Sequence, residues 1–231
     1  MGARANGMSM CKSECRSKGL GWFTAALVAC LVGALGYGLP PEVQAASSKL
    51  EGNFEKLDEP STHKLGKVQM IEFADFYCPH CHMFEQTALP MLRKEFGDQV
   101  VVTMVGYPII PRMLPTPFLM YEQAKRMGKG EAMKRVLFRT IHQDRVVIFD
   151  RAIRALLVKE VGLTPARFEA GLATGKPAQA LLEGKQWGDR IKVTSTPTVL
   201  LDGNIKVEGD ALTPTNLKTI IRSILAVDAE R

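Results

Sequence analysis

The feature that most constrains the fold is an apolar run that ends in two closely spaced cysteines. Residues Val68 to Tyr77 (VQMIEFADFY) are almost continuously apolar, which is typical of a strand buried on both faces of a sheet. Cys78-Pro79-His80-Cys81 follows directly, and then a helical pattern with an expected kink at Pro90. A second buried run, Val100 to Tyr107, completes a strand–helix–strand unit, for which a right-handed crossover is expected.

The chain on either side of this unit predicts loops and helices. Residues 46–65 are polar and mixed, and we interpret them as an initial strand and loop. From about Pro115 to Arg190 apolar residues recur at helical spacing. The predicted core stripes are Met120, Ala124 and Met127; Met133, Leu137 and Ile141; and Ile153, Leu156, Leu157 and Val161.

The C-terminal part predicts a hairpin followed by a helix. Asp202-Gly203-Asn204 separates the short apolar runs Thr198–Leu201 and Ile205–Val207, which is a hairpin signal. Thr213-Pro214 predicts a helix start, because threonine caps helices and proline suits the first helical position. Thr164-Pro165 predicts another start in the same way.

The N-terminus has the pattern of an export signal. A basic segment precedes a charge-free run from Trp22 to Leu39, and Val43-Gln44-Ala45 supplies small residues where a signal peptidase cleaves. We therefore expect residues 1–45 to be removed and the mature chain to begin near Ala46. Two alternatives stay open: an uncleaved membrane anchor through residues 22–39, and lipidation of Cys30.

The placement of the five cysteines points to redox chemistry. Cys11, Cys15 and Cys30 lie in the signal segment, so an exported chain keeps only Cys78 and Cys81. Disulfide-stapled folds spread their cysteines along the chain, which excludes that class. A structural zinc site needs four ligands, and the remaining histidines at positions 63, 82 and 142 are scattered along the sequence, so we expect no metal.

The position of Cys78 favours a thiolate. As the residue before Pro79 it is expected to cap a helix, where free backbone N–H groups and the positive end of the helix dipole stabilise a negative sulfur. His80 adds an N–H donor or a positive charge. Cys81 lies three residues on, so it shares a helix face with Cys78 at a separation that suits a reversible disulfide.

Three further residues are candidates for the site. Pro197, which precedes a strand, is either a simple turn residue or a cis proline that presents the Thr196 backbone to a substrate peptide; the sequence leaves both open. Glu72 stands alone in the apolar strand. It is either a strand-end carboxylate that reaches solvent or, as we expect, a neutral or partnered carboxyl that exchanges a proton with the thiols. Asp75, nearer the strand end, is expected to be solvated.

The excess of basic over acidic residues in the chain does not indicate nucleic-acid binding. The formal net charge is +6, but no basic patch is interleaved with aromatic residues. The local basic pairs, such as Lys134-Arg135, fall on amphipathic helical patterns. We interpret them as a solvated basic surface, and we expect no nucleic-acid partner.

These residues resemble the DsbA family of bacterial periplasmic disulfide oxidants. The resemblance is carried by Ile71-Glu72-Phe73, by Phe76-Tyr77-Cys78-Pro79-His80-Cys81, by Phe84-Glu85 and by Pro197 with the hairpin at Asp202-Gly203. It implies an α/β thioredoxin fold with an inserted α-helical domain. The implied boundaries are 46–112 and 191–231 for the two parts of the thioredoxin-like domain, and 113–190 for the insertion.

The resemblance also implies roles for individual residues. Cys78 resembles the exposed nucleophile and Cys81 its buried partner, with Pro79 and His80 between them. Glu72 matches the buried acid, and Thr196-Pro197 matches the substrate-binding loop. The sequence departs from the family's pattern at two positions. Met104 stands where a lysine partner of the buried acid is expected, and the threonine before Pro197 is found in isomerase and reductase relatives as well.

The implied function is that of a thiol–disulfide oxidoreductase that introduces disulfides into exported proteins. Its partners would be reduced, unfolded exported polypeptides and a DsbB-like, quinone-linked membrane oxidase. No cofactor is expected beyond the Cys78–Cys81 disulfide, and the location would be periplasmic, with membrane contact only through an uncleaved N-terminal segment. The alternative is a membrane-tethered thiol reductase or disulfide isomerase acting on exported proteins.

Overall fold

The structure, a computed structural model, describes residues 49–230. The predicted signal over residues 1–45, its cleavage site, the alternative anchor and the three N-terminal cysteines lie outside the described residues. Within residues 49–230, none of the helices combines the length and the apolar character that a membrane span requires.

Five strands form one mixed sheet in the order β1-β5-β4-β2-β3. The two predicted buried runs are β2 (Val68–Ala74) and β3 (Val100–Gly106), which pair in parallel and confirm the strand–helix–strand unit. β2 lies between β3 and β4, and none of its seven residues is exposed. β4 (Thr198–Leu201) and β5 (Ile205–Val207) form the predicted antiparallel hairpin, and β1 (Glu55–Lys56) pairs with β5.

Two consecutive helices connect β2 to β3. They are α1 (Pro79–Gln86) and α2 (Ala88–Phe96), and the chain bends between them at Thr87. The expected kink is therefore present, three residues before Pro90. Proline has no N–H to donate to the carbonyl four residues earlier, so the helix is interrupted on the N-terminal side of Pro90.

Five helices lie between β3 and β4, and we refer to them together as the helical insertion. They are α3 (Thr116–Arg126), α4 (Gly130–His142), α5 (Arg151–Glu160), α6 (Pro165–Leu172) and α7 (Lys176–Arg190). Most predicted stripe residues are buried or partly buried, but the prediction for Leu156 is wrong because this side chain is 65% exposed. α5 packs on α4 and α6, and its buried face is formed by Leu157 and Val158.

The last helix, α8 (Pro214–Ala229), begins at the predicted proline. Thr213 caps it, since its hydroxyl accepts a hydrogen bond from the N–H of Asn216 at 3.2 Å. The second predicted cap differs: α6 begins at Pro165, but the Thr164 side chain makes no capping hydrogen bond. The apolar side of α8 packs on α2 and β2 and covers one face of the sheet there.

His63 links the chain before β2 to the hairpin and to α8. Its Nδ1 lies 2.8 Å from Asp202 Oδ2 and its Nε2 lies 2.8 Å from Asp228 Oδ1. The pKa of His63 is raised from 6.5, first by the hydrogen bond with Asp202, against the effect of burial. A raised pKa means that the protonated ring stabilises the fold below pH 6.5, and that this contribution is lost as the pH rises through the folded-state pKa.

We expect His63→Gln to lower the free energy of unfolding at pH 6 by about 1 kcal/mol or more, because the ring is only 23% exposed and both of its carboxylate partners are largely buried, so salt and water screen these pairs less than surface pairs. At pH 8 the loss should be smaller. Urea unfolding of the variant and of the unaltered chain at both pH values measures the effect. An equal loss at pH 6 and pH 8 would contradict a contribution from the protonated ring.

Candidate active site

Cys78 stands where a buried strand ends and a helix begins. β2 ends at Ala74, α1 begins at Pro79, and Cys78 is the N-cap residue before it, with an extended backbone. The Cys78 N–H donates to the carbonyl of Asp75 at 3.1 Å and closes the turn. Cys78 is 6% exposed, whereas Cys81, one turn along the helix, is fully buried; both are thiols in this structure. The cap position predicted for Cys78 is therefore the one it has.

The surroundings of Cys78 favour the thiolate. Its pKa is lowered from 9.0 to about 5, first by a hydrogen bond with the Cys81 side chain. Burial opposes this shift, while the Thr196 side chain and the backbone N–H groups of Cys81 and His80 support it. The pKa of Cys81 is raised, chiefly by burial and then by its neighbour Cys78. Cys78 is therefore the thiol that ionises first.

Pro79 and His80 are exposed beside the cysteine pair. Pro79 occupies the first turn of α1, where a backbone N–H would have no partner within the helix, so its absence costs no hydrogen bond. Two contributions were expected from His80, an N–H donor or a positive charge. The donor that acts on Cys78 is the His80 backbone N–H, and the His80 side chain lines a groove next to the site.

The Thr196–Pro197 loop faces Cys78. The peptide bond between Thr196 and Pro197 is cis, the isomer that the sequence left open. The Cys78 thiol donates to the Thr196 carbonyl, with Sγ 3.3 Å from the oxygen. A groove of about 500 Å³ lies beside this loop. Its lining includes His80, Met83, Phe84, Ser195, Leu212 and Pro214.

Glu72 lies in β2 behind the cysteine pair, fully buried. Neither of its carboxyl oxygens has a hydrogen-bond partner, and its register partner on β3 is the apolar Met104. Burial is the main cause that raises the pKa of Glu72, followed by the negative charge of Glu85. Glu72 also raises the pKa of Cys81, so the two groups are electrostatically coupled.

A basic residue that acts on this carboxyl comes from the helical insertion. Lys134 on α4 is fully buried, and its charge lowers the pKa of Glu72. The prediction that Lys134 belongs to a solvated basic surface is therefore wrong. The sequence shows only a lysine on an amphipathic helix, and its burial depends on Glu85, which α1 places 2.5 Å from the Lys134 ammonium.

Asp75 is also fully buried, so the prediction that it is solvated is wrong. Its carboxylate accepts hydrogen bonds from the N–H groups of Tyr77 at 2.8 Å, Ile109 at 2.9 Å and Ile110 at 3.0 Å. These three donors replace water: Tyr77 lies in the same turn as Asp75, and Ile109 and Ile110 lie in the loop after β3, which folds back over the end of β2. Asp75 thus links the turn that carries Cys78 to the loop after β3.

Two histidines that are distant in sequence meet beside Cys81. The rings of His82 on α1 and His142 on α4 stack, with centroids 4.8 Å apart and an angle of 7° between the rings. His142 Nε2 also lies 2.9 Å from the carbonyl oxygen of Phe76. Among the described residues, no group of three or more histidine, cysteine or acidic side chains is arranged to hold a metal ion.

Comparison with known proteins places this arrangement in a family. The family model described as thioredoxin matches residues 63–223, which is most of the chain. The chain belongs to the thioredoxin family. The parallel β2–β3 unit with α1 beginning at Pro79, the hairpin of β4 and β5, and α8 form the thioredoxin fold in this chain, and the helical insertion interrupts it between β3 and β4.

Within this family the chain is similar to DsbA proteins. The thiol:disulfide interchange protein DsbA of Pectobacterium carotovorum subsp. carotovorum is 20% identical, over 73% of this chain and 81% of the relative. The probable disulfide bond formation protein D of Bacillus anthracis is 22% identical, over 84% and 91%. The crystal structure of Pseudomonas aeruginosa DsbA has the same fold, with a TM-score of 0.59 and 20% identity over 78% of this chain and 93% of that one. The chain is therefore a DsbA-like thiol–disulfide oxidoreductase.

Proposed function

We propose that this protein is an exported oxidase that introduces disulfides into other exported polypeptides through Cys78-Pro79-His80-Cys81. The observation that carries the proposal is the contrast between the two thiols. The pKa of Cys78 is lowered to about 5, while that of the buried Cys81 is raised. A stabilised Cys78 thiolate stabilises the reduced protein, and a protein whose reduced form is favoured gives up its disulfide readily.

The reaction is a two-step thiol–disulfide exchange. A substrate thiolate attacks Cys78 Sγ in the oxidised protein, the bond to Cys81 breaks, and the Cys81 sulfur leaves with the electron pair and takes up a proton. A second substrate thiolate then attacks its partner sulfur in the mixed disulfide and releases Cys78 as a thiolate. The substrate is oxidised by two electrons, and the cysteine pair is reduced by the same two.

The groove beside Cys78 fits a polypeptide substrate. It combines apolar side chains, such as Met83, which is 52% exposed, with the Thr196–Pro197 loop. We propose reduced, unfolded exported polypeptides as the substrates, bound with a cysteine at Cys78. A DsbB-like membrane oxidase linked to quinone would then accept the two electrons. Export through the N-terminal signal and a periplasmic location belong to the same proposal.

We expect the oxidised full chain to transfer one disulfide to a reduced, denatured polypeptide that contains two cysteines. Alkylation of the products followed by mass spectrometry counts the disulfides gained, and the double variant Cys78→Ser/Cys81→Ser is the blank. One substrate disulfide should form for each Cys78–Cys81 pair that is reduced. If instead the reduced protein opens a preformed substrate disulfide at neutral pH, the reductase or isomerase function is the better account.

A further inference from the structure

The Thr196–Pro197 loop is closed by a buried hydroxyl. Thr198, the first residue of β4, is fully buried, and its Oγ1 donates to the Ser195 carbonyl oxygen at 2.8 Å. This hydrogen bond joins the residues on either side of the loop. The Thr196 carbonyl, whose oxygen lies 3.3 Å from Cys78 Sγ, follows directly after Ser195 in the chain. The bond made by Thr198 therefore fixes the backbone that faces the reactive sulfur.

A carboxylate competes for the same hydrogen. Glu208 Oε2 lies 3.3 Å from Thr198 Oγ1, and a threonine hydroxyl has only one hydrogen to donate. An ionised carboxylate is a stronger acceptor than a neutral carbonyl. A Glu208 carboxylate without a cation beside it would therefore draw the hydrogen away from the Ser195 carbonyl, and the loop would lose the bond that closes it.

Lys206 on β5 supplies the cation that pairs with this carboxylate. Lys206 is 3% exposed, and its Nζ lies 3.2 Å from Glu208 Oε1 and 2.8 Å from Glu55 Oε2. It also donates to the carbonyl oxygens of Ile191 at 3.4 Å and Lys192 at 3.3 Å, in the segment between α7 and the loop. The ammonium thus holds the start of this segment directly and, by pairing with Glu208, leaves the hydroxyl hydrogen to the loop.

These contacts lie next to the substrate groove but not in it. The groove lining includes the loop itself and also Gly209 and Asp210, which follow Glu208 in the chain. Lys206 and Glu208 are not among the described residues that line the groove. They can therefore act on a bound polypeptide only through the backbone that they hold in place.

We propose that Lys206 is a positioning residue for the Thr196–Pro197 loop. By pairing with Glu208 it keeps the Thr198 hydroxyl on the Ser195 carbonyl, which holds the loop against Cys78 and keeps the groove in the shape that binds a polypeptide. The inference deepens the proposed function and rests on it. Lys206 takes part in no step of the exchange itself.

Removing the cation and then removing its partner should have opposite effects. Lys206→Met leaves the Glu208 carboxylate free to take the Thr198 hydrogen. KM for a reduced two-cysteine peptide should then rise roughly two- to tenfold, the effect of one hydrogen bond, with a smaller change in kcat. In Lys206→Met/Glu208→Gln the competing charge is absent as well, so KM should return toward the value of the unaltered chain. The double variant lacks the same bonds to the two backbone carbonyls, so this recovery belongs to Glu208.

The hydroxyl itself offers a matched pair of variants. Thr198→Val keeps a similar shape without the hydroxyl, so KM should rise as it does in Lys206→Met. Thr198→Ser keeps the hydroxyl, so KM should stay near the value of the unaltered chain. Glu55→Gln is the control for the ion pairs, because it removes the contact that Lys206 makes with β1, away from the loop. It should leave KM unchanged.

The position of the loop is measured without substrate by the ¹³C chemical shift of the Thr196 carbonyl in the reduced full chain. This oxygen accepts a hydrogen bond from the Cys78 thiol. The bond is lost when the thiol ionises, so the shift should change with pH at the thiolate midpoint. The change should be smaller in Lys206→Met and in Thr198→Val, and the double variant should restore it.

A double variant that behaves like Lys206→Met, or a KM that Glu55→Gln raises as much as Lys206→Met does, would overturn the proposal. Either result would mean that the ion pairs of Lys206 only stabilise the fold. If Lys206→Met does not fold, Lys206→Gln takes its place, because the amide still donates to the backbone carbonyls but has no charge. Failure of the proposed function would instead appear as no exchange by the unaltered protein, while the carbonyl shift needs no substrate.

Discussion

Replacing Cys78 by serine is expected to abolish thiol–disulfide exchange, with a loss of roughly a thousandfold or more, as is usual when a catalytic nucleophile is removed. Serine forms no disulfide, and its hydroxyl is not ionised at neutral pH, so neither step can start. Cys81 cannot take over, because it is fully buried and its pKa is raised. The rate is measured as oxidation of a reduced two-cysteine peptide.

Cys81→Ser is the matched variant that separates the two cysteines. Cys78 keeps its nucleophilic thiolate, so the variant should still form a mixed disulfide with an oxidised small molecule or peptide. It has no second cysteine to resolve that bond, so the mixed disulfide should accumulate as a covalent adduct in the mass spectrum. Equal residual activity in the two variants would contradict the assignment of Cys78 as the nucleophile.

The second large effect concerns the stability of the reduced protein. The pKa of Cys78 is lowered to about 5 in the folded state and is ordinary in the unfolded chain. A lowered pKa gives a contribution that is complete above the unfolded pKa and is lost as the pH falls through about 5. At pH 7 the thiolate should therefore contribute roughly 2–3 kcal/mol.

We expect this contribution to grow by about 1.4 kcal/mol for each pH unit between pH 5 and pH 8. It is measured by urea unfolding of the reduced protein and of Cys78→Ser/Cys81→Ser, both without any disulfide. The difference between their free energies of unfolding cancels the pH dependence of groups that do not interact with the cysteine pair, including His63. A difference that stays constant from pH 5 to pH 8 would contradict a stabilised thiolate.

Features set by neighbouring residues could be predicted from the sequence. The strand before Cys78, the cap at Cys78, the hairpin at Asp202-Gly203 and the helix after Thr213 all have a signal within a few residues. Such signals report local backbone preferences and one-sided burial, which depend little on the rest of the fold.

Features set by contacts between distant elements could not be predicted. Asp75 is buried because the loop after β3 supplies two of its three donors, and Lys134 is buried because α1 supplies Glu85. The stack of His82 and His142 requires the packing of α1 on α4. In each case the residue type does not show whether the polar side chain is buried or exposed, because the partner that buries it lies far away in the sequence.

The central claim is that the cysteine pair is an oxidant, and the reduction potential tests it most directly. Equilibration of the full chain with reduced and oxidised glutathione at pH 7, with the thiolate absorbance followed against pH, gives the potential and the Cys78 pKa together. A stabilisation of 2–3 kcal/mol corresponds to roughly 40–60 mV. We predict a potential clearly above the value of about −270 mV for thioredoxin, with a thiolate midpoint near pH 5. A potential at or below that of thioredoxin, with an ordinary Cys78 pKa, would contradict the account.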